Sequence, residues 1–116
     1  MVTAPLNLVV IYASDIEASR RFYTACGLAF VRERHGRGPV HHAAELPGGT
    51  VLELYPRRGG PPTRTRLGLA VADIDRVLRS LAAAGCDAGT AAGDGGGFTV
   101  RDPDGNAVEL VEPRDQ

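Results

Sequence analysis

Leu-Val-Val-Ile-Tyr-Ala-Ser-Asp-Ile-Glu at residues 8–17 and Arg-Leu-Gly-Leu-Ala-Val-Ala-Asp-Ile-Asp at residues 66–75 share one reading, 58 residues apart. In each, an apolar run too short for a stable helix, Leu8 to Ala13 and Leu67 to Ala72, predicts a strand. An aspartate follows, Asp15 or Asp73, placed where its side chain accepts the free N–H groups of a helix's first turn. Beyond it, Ile16, Ser19, Arg20, Phe22 and Tyr23 in one stretch, and Ile74, Val77, Leu78, Leu81 and Ala82 in the other, recur at helical spacing. Gly27 and Gly85 end the two runs.

The likeness continues outward with the shift reduced to 56 residues, placing Pro47-Gly48-Gly49-Thr50 on Pro103-Asp104-Gly105-Asn106 and Leu52-Glu53-Leu54 on Val108-Glu109-Leu110. Strands are predicted at Ala29 to Arg34, Val40 to Leu46 and Thr50 to Tyr55, then near Asp87, at Phe98 to Asp102 and at Ala107 to Val111. The chain therefore reads as an α+β protein made of two tandem β-α-β-β-β modules, about 6–56 and 64–112. An Arg, Gly and Pro-rich linker at 57–63 joins them, and Gly93 to Gly97 reads as a flexible loop.

The 116 residues suit one domain, which at this size buries about two-thirds of the surface its unfolded chain exposes. Thirteen basic residues stand against 14 acidic ones, so a net charge of −1 speaks against nucleic acid as a partner. No apolar run approaches the roughly 18 residues that span a bilayer, and no signal-peptide pattern opens the chain. A cytoplasmic protein with no membrane partner is expected. Cys26 and Cys86 are too few for a disulfide framework and too far apart for a metal knuckle.

Taken together, the two modules, the Ser14-Asp15-Ile16-Glu17 junction followed by Arg21-Phe22-Tyr23, the Gly27-Leu28 helix end and the run Asp102-Pro103-Asp104-Gly105-Asn106-Ala107-Val108-Glu109-Leu110 resemble the vicinal oxygen chelate superfamily. That group includes glyoxalase I, bleomycin-resistance proteins, extradiol dioxygenases and fosfomycin-resistance enzymes. The resemblance spans about residues 6 to 112. It implies a curved mixed sheet around a cleft, with the helices outside and a homodimer often completing the cleft. Enzymes of the family typically hold a divalent metal on one residue from the first and one from the last strand of each module. By position those places fall on Leu8, Glu53, Arg66 and Glu109.

Here the chain departs from the family's enzymes. Leucine has no lone pair to donate, and arginine is a permanent cation. No metal and no cofactor are therefore expected at these places. Alternation along the strands puts Leu8, Tyr12, Glu53, Tyr55, Arg66 and Glu109 on the cleft face, with Leu8 expected to pack. Arg66 is expected between Glu53 and Glu109, bridging both in place of the metal. Pairing the hairpin about Gly48-Gly49 sets Leu46 opposite Val51 and His42 opposite Tyr55, which places His42 in the cleft and turns His41 away. Phe98 matches His42 between modules and joins the same lining, where Tyr12, Tyr55 and Phe98 offer flat faces to a planar ligand. Phe22 and Phe30 are read as core.

Two functions are consistent with this reading. The first is metal-independent binding of a small organic molecule, after the drug-sequestering members: an antibiotic or an aromatic natural product held in the cleft. The alternative is a glyoxalase-like lyase, isomerase or epimerase using Glu53 or Glu109 as base.

Overall fold

A computed structural model describes residues 3–86, 90–91 and 97–113. The first half runs β1 (Leu8–Ala13), α1 (Ile16–Ala25), β2 (Val31–Glu33), β3 (His41–Glu45) and β4 (Val51–Pro56). The second repeats it as β5 (Arg66–Ala70), α2 (Ile74–Ala83), β6 (Thr90–Ala91), β7 (Phe98–Arg101) and β8 (Ala107–Val111). Each half builds a four-stranded mixed sheet, in the orders β1-β4-β3-β2 and β5-β8-β7-β6, with the first and last strands of the half parallel. The α+β architecture of two β-α-β-β-β units is thus present. The strand expected near Asp87 lies outside the described residues, as do Gly93 to Gly96 of the glycine-rich loop; β6 is the nearest described strand.

Local chemistry makes both helices. Asp15 and Asp73 are N-caps in extended conformation, their carboxylates accepting from the amides of Ala18 at 3.1 Å and Arg76 at 3.2 Å. At the other end the amides of Gly27 and Leu28 bond the carbonyls of Thr24 and Tyr23, while Gly85 and Cys86 bond Ala82 and Leu81. This pair of bonds is a Schellman closure, and it needs a left-handed residue, which Gly27 (φ 113°) and Gly85 (φ 78°) supply without a Cβ clash.

The core lies between the helices and one face of each sheet. Phe22, Tyr23 and Cys26 of the first helical segment and Ile74, Val77 and Leu81 of the second pack with Ile11, Leu52, Leu54, Val100, Val108 and Leu110. Phe30 packs at its margin, as expected. β2 is shorter than its predicted span because this edge strand pairs with β3 alone, through Val31, Arg32 and Glu33.

The two halves are latched by the Asp102–Asn106 turn. Tyr23 on α1 donates its hydroxyl to Asp102 Oδ2 at 2.8 Å, and the Asp102 carboxylate also accepts from the Asn106 amide, the Asn106 side chain and the Asp104 amide. Asp104 in turn accepts from the Ser14 amide, and Asn106 Oδ1 from the Thr65 amide. Asp102 and Asn106 are buried. A buried carboxylate with this many donors satisfies its lone pairs, as burial demands. The residues that carry the resemblance in the second module are therefore a structural joint.

Candidate functional site

Strand register decides what faces the site. In β1 and β4, Leu8 pairs with Val51, Val10 with Glu53 and Tyr12 with Tyr55, so all six share the face opposite the helices, as expected. On this face a cavity of about 550 Å³ opens, walled by Tyr12, Tyr55, Pro39, Pro56 and the connector residues Arg57, Arg58, Gly59, Pro61 and Thr63. The Tyr12 and Tyr55 rings lie 6.2 Å apart at 51°, and Tyr12 is 52% exposed, an unusual fraction for a large aromatic ring. Tyr55 is backed by the His41 ring, stacked at 4.2 Å and 9°. Partial burial and the carboxylate of Glu53 push the Tyr55 hydroxyl upward, so it stays a neutral hydrogen-bonding group.

β3 lies one residue out of the expected register. Ala43, not Ala44, pairs with Glu53, and His42 pairs with Leu54. The loop is three residues long rather than four: the Leu46 amide bonds the Thr50 carbonyl at 2.7 Å, leaving Pro47, Gly48 and Gly49 to turn the chain. A one-residue slip exchanges the faces of every side chain on the strand. His42, expected in the cleft, therefore points to the helix side, buried, with its Nε2 3.0 Å from Glu17 Oε1 on α1. Glu17, held below the usual carboxylate range by its bond to Arg20 and further by His42, thereby ties β3 to α1. His41 takes the cleft face instead, 3.8 Å from Glu53 Oε2.

The same slip corrects Phe98. It pairs with Leu110, beside Val100 and Val108, and packs on the core rather than lining the cleft. Phe98 matches His42 between the modules, so the same register turns both side chains to the helix face. Leu8 does lie on the cleft face, but it is 47% exposed rather than packed.

The family's four metal places can be tested on their donors. Arg66 donates Nε and an Nη to the two Glu109 oxygens at 2.7 and 2.9 Å, a bidentate pair that occupies the carboxylate. This bond holds Glu109 below the usual carboxylate range and raises Arg66. The expected bridge from Arg66 to both glutamates is not what forms: Arg66 meets Glu109, while Glu53 faces His41. Leu8 supplies no donor, Arg66 is a cation and Glu109 is engaged, so these residues do not fit a metal. The Arg66–Glu109 pair lines a second cavity of about 300 Å³ with Arg64, Thr65, Thr99 and Arg101.

Sequence reasoning missed Pro39 and the connector wall. A Pro, Gly and Arg-rich segment carries the signal of a linker, and nothing in it announces that β4 delivers it across the mouth of a cavity. Arg57 is fixed there by its amide on the Ala13 carbonyl and its guanidinium on the Gly60 carbonyl, both at 2.9 Å.

Solved structures share this fold. The oxidase ChaP-H2 is 24% identical over 97% of this chain and 96% of its own, with a TM-score of 0.76. TnmS3, described as an antibiotic binding protein from Streptomyces sp. CB03234, is 26% identical over 98% of this chain and 99% of its own, with a TM-score of 0.72. A lactoylglutathione lyase from Agrobacterium tumefaciens is 21% identical over 95% of this chain and 94% of its own, with a TM-score of 0.65. Among curated proteins none matches. The family model described as Glyoxalase/Bleomycin resistance protein/Dioxygenase superfamily matches residues 6–110, and the chain belongs to that superfamily.

Proposed function

We propose that this protein binds a small planar organic molecule, of the class of aromatic antibiotics and natural products, against Tyr12 and Tyr55 in the first-sheet cavity, with no metal at the family's four places. The observation that carries the reading is the first-sheet cavity. Its about 550 Å³ suits a drug-sized ligand, and it offers two tyrosine faces beside two arginines. The likeness to an antibiotic binding protein supports the same class of ligand.

The open faces also support a second copy as cover: Leu8, Tyr12, Val31 and Val111 are large apolar residues left exposed along them. An enzyme reading, lyase, isomerase or epimerase, falls on Glu53, since the Arg66 pair engages Glu109. It predicts that Glu53→Gln abolishes turnover while leaving ligand binding intact.

The test is a thermal-shift and calorimetric screen of bleomycin-type glycopeptides and polycyclic aromatics, run in chelator. A true ligand at a hundredfold excess over its Kd stabilises the native state by about 2.7 kcal/mol. Tyr12→Ala is expected to weaken it roughly two- to tenfold, from the loss of about 0.5–1.5 kcal/mol of ring contact. A screen in which no compound raises the melting temperature would defeat the reading.

A further inference from the structure

Away from the family's metal places, three donor side chains converge around His41. Glu33 Oε1 on β2 stands 3.3 Å from His41 Nε2 and 3.7 Å from His35 Nε2, and one ligand atom from each of the three lies within 4.8 Å of the others. The His35 and His41 rings are 5.0 Å apart. Two imidazole nitrogens and a carboxylate oxygen form a donor set suited to zinc and its first-row neighbours. In a tetrahedral site with bonds near 2.1 Å, neighbouring donors stand about 3.4 Å apart, so the observed spacings need little adjustment.

The orientation of His41 supplies a second observation. Its Nδ1 lies 3.3 Å from the Pro39 carbonyl oxygen, which can only accept, so Nδ1 carries the hydrogen. A backbone acceptor on the far nitrogen is the arrangement that orients a metal-bound histidine. The other ring nitrogen, Nε2, faces Glu33 Oε1 at 3.3 Å, with Glu53 Oε2 at 3.8 Å. The Tyr55 ring stacks on the imidazole, with its hydroxyl 3.4 Å from the same Nε2. His41 is 1% exposed, so water cannot readily intervene. His35 converges on the same Glu33 oxygen, so the three side chains surround one point that a single ion could occupy.

We infer that Glu33, His35 and His41 form a site for one divalent transition ion of the zinc class, with a fourth position left for water or Glu53. This site is separate from the Leu8, Glu53, Arg66 and Glu109 set, although Glu53 borders both. The inference does not rest on the ligand reading. Ligand binding is tested in chelator and metal binding without ligand, so either can fail alone.

The experiment is calorimetric titration of zinc into the chelator-stripped full chain, with cobalt(II) as a spectroscopic probe. One equivalent per chain and the intense visible bands of tetrahedral cobalt are expected. His35→Ala and Glu33→Gln should each weaken binding tenfold or more. His35 is exposed, so its variant should fold, and circular dichroism checks this. Glu109→Gln should leave affinity unchanged. The proposal is overturned by absence of stoichiometric binding, by binding that survives both substitutions, or by binding that Glu109→Gln removes. A histidine NMR spectrum in which zinc leaves the His35 and His41 signals unmoved would overturn it equally.

Discussion

Tyr23 and Asp102 belong to opposite halves of the chain, and one buried hydrogen bond of 2.8 Å joins them. Burial and the neighbouring Asp102 carboxylate push the Tyr23 phenol well above its ordinary range, so it is a donor at every accessible pH. Tyr23→Phe keeps the ring and deletes the donor, and about 1.5–3 kcal/mol of stability should be lost in urea unfolding. Cys26 shows the same physics in a thiol. Burial, reinforced by Cys86, raises it to about 12, so at pH 8 it is almost wholly protonated. Mass mapping after alkylation should find Cys26 unmodified in the native protein and labelled after unfolding. On the surface, Arg66 lowers Glu109 relative to the unfolded chain, so this pair stabilises the fold above the unfolded carboxylate range and ceases to do so as pH falls through the lowered value. The difference in melting temperature between the wild type and Glu109→Gln should therefore be present at neutral pH and vanish in acid.

At the scale of elements, α1 and α2 are built alike but not finished alike. Both have an aspartate cap and a glycine closure, yet α1 buries Ser19 with an Oγ that has no hydrogen-bond partner among the described residues. Ser19→Ala removes that penalty and raises helix propensity, so the variant should gain about 1 kcal/mol in denaturant unfolding. The β3–β4 hairpin shows the opposite sensitivity. Its three-residue loop determines which of two adjacent histidines backs Tyr55 and which binds Glu17. Inserting one glycine beside Gly48 would put turn length and side-chain faces in conflict, and the cost should appear as a lowered melting temperature.

For the whole molecule, both open sheet faces expose apolar side chains while the helices close the other side. Between the halves α1 packs on α2, and the Asp102–Asn106 turn adds buried and backbone bonds to Tyr23 and Ser14 of the first half. If a second copy covers these faces, light scattering should give twice the chain mass, and Leu8→Glu should shift it toward the monomer.

The repeat, the caps at Asp15 and Asp73, the closures at Gly27 and Gly85, the strands of the first module with the first and last two of the second, and the family were legible in the amino-acid order, because each rests on chemistry within a few residues. The cleft face of β1 and β4 was equally legible, since alternation within a strand is local. What only the tertiary structure decided was the register of β3, the resulting exchange of His41 for His42 and of Phe98 into the core, the engagement of Arg66 by Glu109, and the connector wall of the cavity. Side-chain direction in a strand has a period of two, so a loop shorter by one residue inverts it. No local signal states where a linker will pass or which carboxylate an arginine will reach. Those outcomes depend on contacts between segments far apart in the chain, and the fold alone sets them.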